Sequence, residues 1–166
     1  MMRGAGLCGF LAAGLLVLLP ADAARAAADC EVSAIGVNFG TYDGLLTTPT
    51  DSVGRIEVTC FYIRPGGATE VSYVLRLTPG ASNSYAQRSM ILDSSRLAYN
   101  LYTDASHSQV WGNGSDGSLL IRGSMKVNPG AHSPVTQVHT VYGRIPPGLD
   151  AAMGVFSDTI LVTLSF

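Results

Sequence analysis

Apolar and polar residues alternate with a period of two in four places along the chain. In the first, Ile56, Val58 and Cys60 face one way and Glu57 and Thr59 the other. Val71, Tyr73, Leu75 and Leu77 then alternate with Ser72, Val74 and Arg76, and Leu97, Tyr99 and Leu101 with Ala98, Asn100 and Tyr102. At the end Ile160, Val162, Leu164 and Phe166 alternate with Leu161, Thr163 and Ser165. Successive side chains of a strand point to opposite faces, so each run predicts a half-buried β-strand. Weaker strand candidates are residues 31–35, 37–42, 87–92, 119–125 and 135–144. Turn chemistry separates the runs at Pro65-Gly66-Gly67, Pro79-Gly80, Gly112-Asn113-Gly114, Pro129-Gly130 and Pro146-Pro147-Gly148. No helical period is sustained beyond the first segment. Many short strands with Gly/Pro turns predict an all-β sandwich or barrel in one domain.

The first segment reads as a secretory leader. Arg3 supplies a positive start, residues 7–19 are an apolar stretch too short to span a bilayer, and Pro20 ends it. Ala26-Ala27-Ala28 has the small-x-small form of a cleavage site. The expected leader is 1–28 and the expected mature domain 29–166, with cuts after Ala26 or Ala23 as alternatives. No stable membrane insertion is expected after cleavage. Cys8 leaves with the leader, and Cys30 and Cys60 remain. An even pair in an exported chain reads as one disulfide, the alternative being two buried thiols.

Composition narrows the function. Only 13% of the 166 residues are charged, the net charge is −2, and Lys126 is the single lysine. With no basic stripe to neutralise phosphates, nucleic-acid binding is not expected. Nucleophile elbows, paired metal-binding histidines and phosphate-cradling glycine loops are all missing from the sequence, and His107, His132 and His139 have no ligand spacing. The loop from Gly112 to Gly117 holds Asn113 and Asp116, but it lacks the later bidentate Glu of a calcium loop and reads as a tight turn. No enzyme activity, metal or cofactor is expected. The longest irregular stretch, residues 104–118, carries the single tryptophan, Trp111, a candidate surface contact.

Several fragments, in order, carry a resemblance. They begin with Cys30-Glu31-Val32, then Val37-Asn38-Phe39-Gly40-Thr41-Tyr42 and the Gly54-x-Ile56-x-Val58-x-Cys60 strand. Leu75-x-Leu77-x-x-Gly80, Arg88-x-Met90 and Leu97-x-Tyr99-Asn100-Leu101-Tyr102-x-Asp104 follow, then Trp111-Gly112-Asn113-Gly114. Val141-Tyr142-Gly143-Arg144-Ile145-Pro146 and Gly154-x-Phe156-x-Asp158-Thr159-Ile160-x-Val162-Thr163 close the set. Together they cover nearly all of the mature chain and resemble the spore coat protein U family, whose members include subunits of archaic chaperone–usher pili.

The resemblance implies an exported structural subunit with an incomplete immunoglobulin-like β-sandwich that requires donor-strand complementation. A periplasmic chaperone would lend the missing strand, an outer-membrane usher would export the subunit to the cell surface, and another pilus subunit would replace the chaperone strand. The family's disulfide falls on Cys30 and Cys60. The last strand, residues 158–166, would pair with the lent strand, making Ile160, Val162, Leu164 and Phe166 the groove candidates. One departure is visible. Donating subunits carry an alternating apolar extension before the first cysteine, whereas here the preferred cut leaves only Asp29. Such a subunit is expected to accept a strand without donating one, as suits the end of a fibre or a coat that does not polymerise. The competing expectation is a lectin-like or surface-binding adhesin using loops around Trp111, Tyr142 and Tyr102.

Overall fold

In the computed structural model, residues 28–63, 69–128 and 134–166 are described. The expected leader lies outside the described residues except for Ala28, as do the Pro65-Gly66-Gly67 and Pro129-Gly130 turns. Eight strands are present: β1 (Ala28–Ile35), β2 (Thr50–Tyr62), β3 (Thr69–Leu77), β4 (Arg88–Leu92), β5 (Ser95–Tyr102), β6 (Ile121–Val127), β7 (Val135–Ile145) and β8 (Val162–Ser165). They form a five-stranded sheet in the order β1-β2-β7-β5-β4 and a three-stranded sheet in the order β6-β3-β8. Every pairing between these strands is antiparallel. The fold class is therefore all-β, two sheets face to face.

The alternating runs become the core. Ile56, Val58 and Cys60 of β2 and Leu97, Tyr99 and Leu101 of β5 are buried from one sheet. Val71, Tyr73, Leu75 and Leu77 of β3 meet them from the other. Burying these side chains contributes about 1.5–3 kcal/mol each. Cys30 stands directly opposite Cys60 in the β1–β2 register, and the two form a disulfide with Cα atoms 4.1 Å apart. Gly54 is buried beside the end of β1, where a Cβ would lie 2.6 Å from the Ile35 carbonyl oxygen, so only glycine allows β1 to run this close.

Three segments depart from the sequence reading: residues 37–42, the loop around Trp111, and the last strand, expected over 158–166 but confined to Val162–Ser165 because residues 158–161 cross between the sheets. Residues 37–42 are not a strand. The Asn38 side-chain oxygen accepts the Gly40 N–H at 2.9 Å, and Gly40 adopts φ +67°, so the chain folds back at a local turn. The reversal sets the Phe39 ring edge-on to Tyr99, 5.9 Å between centroids. Trp111 is fully buried, which corrects the expected surface contact. Its backbone N–H donates to the Leu101 carbonyl of one sheet at 2.9 Å, and the Gly112 carbonyl accepts the Leu77 N–H of the other at 3.1 Å. This short segment stitches the sheets together, and its backbone bonds carry the indole inward. Arg88, also fully buried, reinforces the same end by donating to Asn100 Oδ1 (2.6 Å) and to the carbonyls of Thr78 (3.0 Å) and Trp111 (2.7 Å).

Candidate strand-acceptor groove

The two sheets do not close on each other evenly. Among the described residues β8 pairs with β3 alone, and β1 pairs with β2 alone, so each leaves one flank without a strand. Both border an apolar trough. A cavity of about 480 Å³ lies between residues 34–37, at the end of β1 and just after it, and the approach to β8. Ile56, Leu101 and Val141 are among the residues that line it. A second cavity of about 880 Å³ is lined in part by Tyr42, Leu97 and Leu149. Val37, Phe39, Met90 and Phe156 line both, so the two cavities lie side by side.

Three ties place the crossover that forms one wall. Ser157 exchanges two backbone bonds with Ile91 of β4, at 2.8 and 3.1 Å. The Asp158 carboxylate accepts hydrogen bonds from Ala81 N–H (3.0 Å), Thr159 N–H (2.8 Å) and the Tyr99 hydroxyl (2.7 Å). Leu161 donates to Thr78 Oγ1 at 2.9 Å and accepts the Thr78 N–H at 3.0 Å. The chain thus leaves the five-stranded sheet at Ser157 and reaches the three-stranded sheet at Leu161. Burial, then the Asp158 hydrogen bond, pushes the Tyr99 hydroxyl far above the ordinary tyrosine range, so it stays a donor.

Of the residues singled out from the sequence, Ile160 and Val162 line the trough. Leu164 is half-buried against the core, whereas Phe166 lies beyond β8 and is 54% exposed. Val37, Phe39, Met90 and Phe156 were not assigned to the groove from sequence. Val37 and Phe39 carried an alternation signal, but Met90 and Phe156 carried none for a groove, since each belongs to a separate element. At the wide end, loop residues Leu45, Met153 and Val155 are 93%, 99% and 85% exposed. The Tyr42 hydroxyl ties these two loops by accepting the Leu149 N–H at 2.8 Å and donating to the Pro146 carbonyl at 3.2 Å.

Two polar turns elsewhere close on themselves. Asp104 accepts from the Ser106 hydroxyl, the Ser108 N–H and the Gln109 N–H, which holds its carboxyl well below the usual range. Asn113 Oδ1 accepts the Ser115 N–H and hydroxyl, closing the turn. Tyr102 and Tyr142 are half-buried and set their rings edge-on to His107, at 5.1 and 6.2 Å. No group of three or more His, Cys, Asp or Glu side chains converges among the described residues. The arrangement offers an apolar trough and strand edges, which bind an extended segment through backbone hydrogen bonds and alternate side chains.

The fold and trough define a class: a two-sheet antiparallel β-sandwich with an open strand edge beside an apolar cavity. Residues 16–163 match the model of the Spore Coat Protein U domain, and the chain belongs to that family. It is 30% identical to Protein U of Myxococcus xanthus, over 93% of each chain. It is also similar, with a TM-score of 0.52 and 24% identity, to a chain in the crystal structure of the CsuC–CsuE chaperone–tip adhesion subunit pre-assembly complex. That complex comes from the archaic chaperone–usher Csu pili of Acinetobacter baumannii. The match covers 84% of this chain but only 40% of that one, and it is a likeness of fold.

Proposed function

We propose that this chain is an exported structural subunit of a chaperone–usher pilus, or of a cell-surface or spore-coat layer, that accepts a β-strand lent by another protein. The observation that carries the reading is the unpaired flank of β8 beside the apolar cavity that Ile160 and Val162 line. An inserted strand would pair along β8 and bury alternate side chains over Ile160, Val162 and Leu164. The donor is a periplasmic chaperone first, then another subunit after passage through an outer-membrane usher. The chaperone–subunit pre-assembly complex known for a structural relative supports the first of these partners, the chaperone. The test is isolation from periplasm: a stoichiometric partner of about 25 kDa, roughly two small domains, is expected. Recovery of the chain alone as a stable, closed monomer would overturn the reading.

The same reading includes a position at the end of the fibre. β1 begins at Ala28 and is committed to β2 as far as Ile35, and the sequence just before it is rich in alanine. Alanines fill apolar pockets poorly, at about 0.8 kcal/mol per missing methylene. Mixed with a subunit whose groove is empty, this chain should not transfer its N-terminus; efficient exchange would sink the placement. A second reading, a surface-binding module, is favoured by the exposed tips Leu45, Met153 and Val155. Loss of adhesion in Met153→Ser with assembly intact would support it, and unchanged adhesion would count against it.

A further inference from the structure

We propose that Asp158 is a positioning residue for strand capture, holding the crossover between the sheets so that β8, Ile160 and Val162 face the trough before any partner arrives. The inference rests on the strand-acceptor reading above. Its geometric basis is that one carboxylate gathers donors from three separate segments. Ala81 lies in the 3₁₀ turn Gly80–Ser82 after β3, Tyr99 lies on β5 beneath the trough, and Thr159 lies in the crossover itself. A carboxylate suits this place because it only accepts, and its two oxygens have lone pairs for all three donors.

The neighbouring backbone is shaped to admit it. Gly80 adopts φ +69°, and a Cβ there would lie 2.2 Å from Asp158 Oδ2, so any side chain at position 80 would displace the carboxylate. Tyr99 is buried and lines the narrower cavity, as do Asp158, Thr159 and Ile160. The groups that fix Asp158 are therefore part of the trough wall. Between the Asp158 and Leu161 ties, only Thr159 and Ile160 are left to move. Two residues of extended chain pinned at both ends hold Ile160 toward the trough with little freedom, which removes ordering cost from the binding step. Release of Asp158 would let the segment from Ser157 to Leu161 sample other paths while Ser157 and Leu161 remain bonded. The penalty would then fall on capture.

The experiment measures association and dissociation of a fluorescein-labelled peptide of alternating valine and threonine, capped by lysines, with the purified full chain. Variants are Asp158→Ala, Asp158→Asn, Gly80→Ala and, as a control, Val58→Ala, a core residue on β2 that does not line the trough. Asp158→Ala and Gly80→Ala should slow association about tenfold, the consequence of roughly one net hydrogen bond, with little change in dissociation. Asp158→Asn keeps an oxygen for the two amides and should recover most of the rate. Val58→Ala should lower the melting temperature without slowing association. The inference is overturned if Asp158→Ala associates at the wild-type rate. It is equally overturned if Val58→Ala slows association as much for the same loss of melting temperature. If Asp158→Ala does not fold, Gly80→Ala against Asp158→Asn decides. Wild-type protein that captures no peptide would instead remove the strand-acceptor reading, and this inference with it.

Discussion

At the scale of single residues, the chemistry that matters is burial without escape to water. Cys30 and Cys60 close a loop with a sequence separation of 30 residues. On the chain-entropy account this contributes about 3–4 kcal/mol. Replacing both by alanine should lower the urea-denaturation stability by about that amount, and an unchanged midpoint would contradict it. His139 offers a second test. Its Nε2 lies 2.7 Å from the Tyr73 hydroxyl, which is also 2.8 Å from Gln137 Oε1, and its ring lies 6.5 Å from that of Trp111. Burial holds its pKa below the ordinary 6.5, so the fold prefers the neutral ring. A depressed histidine pKa gives stability that is complete above the unfolded value and declines as pH falls through it toward the folded one. The melting temperature should therefore drop between pH 7.5 and 5, and His139→Gln should flatten that drop. Asp51, lowered chiefly by its hydrogen bonds to Arg144, acts in a separate window: its contribution is present above 3.8 and is lost only below it.

At the scale of elements, β3 and β8 carry the most testable weight. Tyr73 crosses from β3 to β7 over Gly123 of β6, where a Cβ would lie 2.3 Å from the tyrosine Cζ. Gly123→Ala forces that ring aside and should cost about 1–3 kcal/mol, the usual range for overpacking, read as a lower denaturation midpoint. β8 is only four residues long and ends one residue before the last. Deleting residues 163–166 removes most of it and exposes the edge of β3. It also leaves the lent strand without its partner edge, so recovery from the periplasm should fall to near zero. Normal yield of the truncated chain would show that export does not use β8.

At the scale of the whole molecule, the trough sets the stability question. A sandwich with unpaired backbone flanks and an apolar cavity between its sheets loses both hydrogen bonds and burial there. A ligand that binds only the folded state stabilises it by mass action, by about 2.7 kcal/mol at a hundredfold excess over its dissociation constant. The melting temperature should rise with the concentration of an added strand peptide, and go on rising with its logarithm above the dissociation constant. A melting temperature independent of partner concentration would argue that the sheets are already complete.

The sequence by itself determined the strands and the inward face of each, because alternation needs only the local geometry of an extended chain. Ile56, Val58 and Cys60, or Val71, Tyr73, Leu75 and Leu77, could be assigned to a core with no knowledge of their neighbours. The pairing of Cys30 with Cys60 was legible from cysteine arithmetic, since of the three cysteines only these two lie outside the expected leader and an even pair in an exported chain reads as one disulfide. What needed the tertiary structure was every feature built from distant segments. The trough gathers Val37 and Phe39, Met90, and Phe156 from three stretches, and none of them signals that role alone. Trp111 sits in a loop by sequence but is drawn into the core by backbone bonds to both sheets. Residues 37–42 alternate as a strand would, yet Asn38 and Gly40 turn the chain, because a side-chain bond over two residues outweighs a pattern with no adjacent strand to pair with. Periodicity records which way a side chain points; which surfaces then meet, and which edge is left without a neighbour, depends on contacts between residues far apart in the chain.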